Sequence, residues 1–70
     1  MKLSARNILP GKVVAVKKGP ISSLVVLEVA PGVRLTSVVT ADAATELKPK
    51  KGATAYAVIK SSSILLGVDD

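Results

Sequence analysis

Two short stretches hold the residue types best suited to binding chemistry. One is Ser4-Ala5-Arg6-Asn7 and the other is Lys60-Ser61-Ser62-Ser63. Each combines hydroxyl donors with one fixed positive charge, and neither contains a carboxylate. Hydrogen bonds from Arg or Lys to an oxyanion are charge-assisted and therefore strong. Backbone N–H groups in a turn can complete such a cradle. The donor-only character is also selective. Phosphate near pH 7 still carries a proton and is best held where an acceptor receives it. A cradle of donors alone favours a fully deprotonated tetrahedral dianion: sulfate, molybdate or tungstate. The size of the cavity then separates sulfate from the two larger metal oxyanions. Both stretches also read as ordinary polar surface, with Arg6 in a surface ion pair and the Ser run as a flexible hairpin loop.

The rest of the composition narrows the function by what it omits. The chain has no Cys and no His, and only five Asp and Glu against ten Lys and Arg, for a net charge of +5. The commonest general base and the usual zinc ligands are therefore missing. No nucleophile–base pair can be drawn, so the reading is a non-enzyme with no catalytic residue and no protein-held metal. A small basic β-protein suggests nucleic acid, and that is the alternative function. Binders of single strands need aromatic platforms beside the positive groove. Here Tyr56 is the only aromatic residue. The cluster Lys48, Lys50 and Lys51 is explained by a solvated loop.

The elements that must position these residues are strands. Val, Leu and Ile occur in short runs, punctuated by Gly and Pro, which is strand composition with regular turns. The first strand is expected over Leu3–Leu9 and Lys12–Lys17, broken at Leu9-Pro10-Gly11 because Pro10 lacks a ladder donor. The second covers Ser23–Ala30. Pro31-Gly32 fits a type II turn, with Gly supplying the positive φ, and leads into a third strand over Val33–Thr40. Asp42–Leu47 reads as a short helix with Asp42 as its N-cap. The fourth strand covers Ala53–Lys60 and the fifth Ser63–Val68. This order predicts an all-β fold: a small five-stranded OB-like antiparallel barrel with one short helix between strands 3 and 4. Residues 1–70 read as a single domain.

Size and patterning both call for self-association. A chain of 70 residues buries about 60% of its unfolded surface and is marginal alone. Scaffolds this small are commonly held by disulfides, a metal or oligomerisation, and without Cys and His only the last is at hand. The second strand is apolar on both faces, with Leu24 and Val26 opposite Val25, Leu27 and Val29. A second apolar face requires cover, and a subunit interface supplies it. No apolar run is long enough to span a bilayer, and the first residues lack the apolar core of a signal peptide, so a cytoplasmic location is expected.

Several segments together resemble one family. Ser4-Ala5-Arg6-Asn7, Gly11-Lys12-Val13-Val14, Gly19-Pro20-Ile21-Ser22-Ser23, Thr36-Ser37-Val38-Val39-Thr40 and Ala55–Lys60 followed by Ser61-Ser62-Ser63-Ile64 are similar in order and spacing to the molbindin (Mop) family of TOBE-type domains. The resemblance implies a cytoplasmic protein that binds molybdate or tungstate for storage or homeostasis. It implies a homohexamer, a trimer of dimers, with the oxyanions held between subunits. In this chain the first site would take Ser4, Arg6, Lys60, Ser61 and Thr40, with backbone help near Ala5 and Ile59. A second site would use Gly19, Ile21 and Ser22, although Pro20 removes one backbone donor there.

Overall fold

The computed structural model describes residues 4–69. Its elements run β1 (Asn7–Lys18), β2 (Ser22–Ala30), β3 (Val33–Thr40), α1 (Ala41–Leu47) and β4 (Thr54–Ile59), followed by a single 3-10 turn at Ser61–Ser63. The four strands form one antiparallel sheet in the order β3-β2-β1-β4. β3 and β4 are therefore its edges.

β1 is continuous through Pro10, contrary to the expected break, and begins at Asn7, so Ser4–Arg6 precede the strand instead of forming part of it. The expected start at Leu3 lies outside the described residues. The ladder explains why Pro10 fits. Val13 donates its N–H to the Ala53 carbonyl and accepts from the Gly52 N–H, so its backbone faces the β4 side. Alternation along a strand then turns the backbone of Gly11, Leu9 and Asn7 to β4, and that of Lys12, Pro10 and Ile8 the other way. Pairing of β1 with β2 starts only at Lys12, opposite Glu28. The missing donor of Pro10 thus points where no ladder partner stands, while Pro10 still sits opposite Tyr56 in β4.

The β2–β3 hairpin forms as read. Ala30 pairs with Val33 across Pro31-Gly32, and Gly32 has φ +75, the value a type II turn needs at its third residue. The Gly32 N–H donates to Oε1 of Glu28 at 3.0 Å. β2 alternates as its sequence predicts: Ser23, Val25 and Leu27 are buried, while Leu24, Val26 and Glu28 are half-buried on the opposite face.

Two further expectations need correction. The helix begins at Ala41, and its N-cap is Thr40, not Asp42: the Thr40 Oγ1 accepts from the Ala43 N–H at 3.0 Å. Thr and Asp are both good capping residues. The extended backbone of β3 ends at Thr40, which places the cap there and leaves Asp42 in the first turn. At the other end Lys48 adopts a left-handed conformation and closes the helix onto the Ala44 carbonyl.

The second correction is larger. Among the described residues the sheet has four strands, not five. The segment expected as the fifth, Ser63–Val68, starts in the 3-10 turn and continues unpaired. Leu65, Leu66 and Val68 are 92%, 93% and 89% exposed. A strand exists only where another edge pairs with it, and this chain brings neither of its own edges to that segment.

The core is correspondingly small. Val13, Val25 and Leu27 form it, with Val16, Val29, Ala55 and Ala57 packed around them and Ala44 of α1 also buried. The sheet curls, so that both edges face one opening. Ser37 and Val39 of β3 and Ala55 and Tyr56 of β4 line a cavity of about 450 Å³ with Val13 and Leu27 among its walls. Farther along the same opening, Leu35 and Ser37 face Ala57 and Ile59 across about 400 Å³. The architecture is a half-barrel with one missing stave.

Candidate anion site

The donor-rich stretches meet at one end of the sheet. Ser4-Ala5-Arg6 leads directly into Asn7, the first residue of β1, and Lys60-Ser61 leaves Ile59, the last residue of β4. Asn7 and Ile59 are register partners. The Asn7 Nδ2 also donates to the Ile59 carbonyl oxygen at 3.3 Å. Antiparallel pairing thus brings two segments far apart in sequence to the same sheet end. Ser4, Arg6, Lys60 and Ser61 are exposed there, whereas Ala5 and Ile59 are half-buried. This sheet end thus carries a guanidinium, an ammonium and hydroxyls on adjacent segments, with no carboxylate among residues 4–7 and 59–63.

Thr40 is not part of this cluster. It pairs with Ser22, and Lys18 pairs with Ser23, so Thr40 lies level with the far end of β1. The whole of β1 separates it from Asn7, which at about 3.3 Å per residue is roughly 35 Å. Within one chain, therefore, the seven residues expected for the first site fall into two groups. Ser4, Ala5, Arg6, Ile59, Lys60 and Ser61 gather at one end, and Thr40 stands at the other.

Thr40 has company where it is. The Ile21 carbonyl accepts from the Ala41 N–H at 2.9 Å, which ties the Gly19–Ser22 loop to the start of α1. Gly19 is required by close approach, because a Cβ there would come within 2.6 Å of the Ser22 carbonyl oxygen. The three residues expected for a second site, Gly19, Ile21 and Ser22, are thus held together beside Thr40. Ile21 is 82% exposed. Small clefts at this end include Lys17 and Lys18 with Gly19 and Ser22, and Lys18 with Thr45. Neither lysine is among the residues expected for a site: Lys17 reads as the end of the first strand, and both lie at the end of β1. Their adjacency to Gly19 was the available signal.

The cap chemistry prepares Thr40 for a donor role. A hydroxyl has one donor and two acceptor positions. Accepting from the Ala43 N–H uses one acceptor position and leaves the hydroxyl proton free to donate. Thr40→Ala is expected to destabilise the fold by about 1 kcal/mol through loss of the cap, and Thr40→Ser to retain most of it. Asp42→Ala removes only a first-turn charge worth about 0.5 kcal/mol. Urea denaturation of the three variants checks this ranking; a larger loss for Asp42→Ala than for Thr40→Ala would reverse the cap assignment.

Among the described residues no group of three or more His, Cys, Asp or Glu could hold a metal ion directly. A metal oxyanion would instead be gripped through its oxygens. No helix among the described residues is long and apolar enough to cross a membrane.

Comparison with known proteins bears on the family and the fold. The TOBE domain pattern matches residues 3–66. Molybdenum-pterin-binding protein 1 of Clostridium pasteurianum is 50% identical over 66 residues, covering 94% of this chain and 97% of that protein. The solved structure of apo MopII from Clostridium pasteurianum superposes with a TM-score of 0.88 at 45% identity, covering 96% of this chain and all of that one. The cytoplasmic molybdate-binding protein ModG, solved with molybdate bound, gives a TM-score of 0.91 at 46% identity; 99% of this chain covers 49% of that one.

Proposed function

Because the chain belongs to the TOBE domain family, we propose that it is a non-enzymatic binding protein for molybdate or tungstate, acting in cytoplasmic storage or homeostasis. Residues 1–70 act as one oxyanion-binding domain. The observation that carries this reading is the carboxylate-free donor cluster of Ser4, Arg6, Lys60 and Ser61, drawn together by the Asn7–Ile59 rung. Its chemistry suits a tetrahedral dianion, and the similar proteins described above are named for molybdenum or molybdate.

The complete site is shared between copies in this reading. Thr40 of one chain joins Arg6 and Lys60 of another, since a single chain holds them at opposite sheet ends. The loop of Gly19, Ile21 and Ser22, with Lys17 and Lys18 beside it, forms the second anion position. The assembly is a homohexamer, a trimer of dimers. Two features support self-association: the exposed apolar segment Ile64–Val68 and the open half-barrel that lacks a strand. The simplest fit places that segment of one copy along the open edge of another.

Calorimetric titration with molybdate, tungstate, sulfate and phosphate at one ionic strength tests the function. Tight binding of the two metal oxyanions, with phosphate weakest, is expected. No binding of either metal oxyanion, or a preference for phosphate, would overturn the reading. Nucleic acid is the poorer fit, because Tyr56 stands alone as a stacking surface.

A further inference from the structure

The rung that joins the two arms of the anion cluster contains a side chain with no assigned role. Asn7 and Ile59 form the last pair of the β1–β4 ladder. Beyond it one arm carries Ser4 to Arg6 and the other carries Lys60 and Ser61. The alternation established at Val13 turns the Asn7 backbone to β4, so the Ile59 carbonyl receives the ladder bond from the Asn7 N–H. The Asn7 Nδ2 reaches that same carbonyl oxygen at 3.3 Å. One residue thereby supplies two donors to one oxygen, and a carbonyl has two lone pairs to offer.

Two consequences follow for a bound dianion. The first is geometric. The Ile59 carbonyl and the Lys60 N–H belong to one planar trans peptide. Holding the carbonyl against β1 fixes the plane of that peptide and hence where Lys60 leaves the sheet relative to Arg6. The second is electrostatic. The Ile59 oxygen belongs to the peptide that leads into Lys60, whose own carbonyl already accepts from the Ser63 N–H at 2.9 Å, and an acceptor with a free lone pair repels a fully deprotonated anion. It would welcome an anion that still carries a proton. With both lone pairs engaged, the Ile59 carbonyl adds no free acceptor beside Lys60.

We propose that Asn7 is a positioning and specificity-determining residue of the anion site. It holds the Lys60 arm in place and masks the Ile59 carbonyl, so that a proton-free tetrahedral dianion is preferred over protonated phosphate. This inference rests on the oxyanion reading above and adds to it a residue that does not itself ligate the anion.

The test uses the full chain with Asn7→Ala and Asn7→Asp, titrated with molybdate and with inorganic phosphate, alongside thermal melts and native mass. Neither substitution removes a backbone ladder bond; Asn7→Asp keeps the side-chain shape but replaces the donor with a charged acceptor, so its molybdate-to-phosphate preference, not its affinity alone, carries the test where Asn7→Ala folds poorly. Molybdate binding is expected to weaken roughly tenfold or more in both variants, the scale typical of losing a ligand-orienting partner. The molybdate-to-phosphate preference narrows in both, while the melting midpoint and assembly mass stay close to those of the parent. Unchanged affinity and preference in both variants would overturn the inference while leaving the oxyanion reading intact. A uniform loss for all anions that tracks a fall in melting midpoint or in assembly mass would reduce Asn7 to a structural residue and overturn it as well. If the parent chain binds neither molybdate nor tungstate, the oxyanion reading fails first and this inference falls with it.

Discussion

Arg6→Ala and Lys60→Ala are each expected to weaken molybdate binding by roughly a hundredfold or more, about 3 kcal/mol, the cost of truncating one partner of a desolvated charge pair. The size of the effect depends on enclosure. In the single chain both side chains are exposed, and an exposed ion pair is worth only about 0–1 kcal/mol. A large loss therefore requires that the site be closed by another copy, whereas a loss of only a few-fold would mean an open surface site. Arg6→Lys separates charge from shape. It keeps the cation but loses the planar fork that grips two oxygens at once, so an intermediate loss is expected. The double variant should lose less than the sum of the two single losses, because both groups act on one anion. Calorimetry at fixed ionic strength reads all four variants. Parent-like affinity in both alanine variants would remove Arg6 and Lys60 from the site.

What the sequence disclosed and what it withheld divide along local and non-local lines. The β2 alternation, the Pro31-Gly32 turn and the short helix were legible because each depends on neighbours within a few residues. The donor stretches were legible because residue type alone sets their chemistry. Pro10 was misread because its fitness depends on which side of the ladder its nitrogen faces, a property set by β2 pairing from Lys12 onward. The cap moved from Asp42 to Thr40 because two capping residues stood two positions apart and the end of β3 decided between them. The separation of Thr40 from Arg6 could not be read locally at all. It follows from sheet order, which puts the end of β3 beside the start of β2 and leaves the start of β1 at the opposite end. The unformed fifth strand is the same lesson at larger scale. The apolar pattern of Ser63–Val68 reads as a strand, but pattern does not say whether an edge stands beside it, and among the described residues of this chain none does.

Charging that segment is expected to have the second large effect. Leu65→Asp combined with Leu66→Asp should reduce the proposed assembly to monomers and abolish molybdate binding together. Four residues of the segment (Ile64, Leu65, Leu66 and Val68) are large apolar side chains that a single chain leaves exposed. Residues Ile64–Val68 in extended form span roughly 16 Å at about 3.3 Å per residue, the length of an ordinary edge strand. The opening between β3 and β4 offers Leu35, Val39, Ala55 and Ala57 along its walls, and both edges have unpaired backbone groups. An exposed edge of this kind is a template for another strand. Alternation places one of the two leucines on the inner face in either register, and burial of one such side chain is worth about 1.5–3 kcal/mol. The paired substitution therefore puts a carboxylate into the seam whichever face turns inward, at a cost larger than the contact it replaces. Anion binding should go with assembly because the Thr40 end of one copy then no longer meets the Arg6–Lys60 end of another. Native mass and calorimetry on the same sample check both halves. Monomers that still bind molybdate with parent-like affinity would place the whole site within one chain, and an intact assembly would remove the Ile64–Val68 segment from the interface.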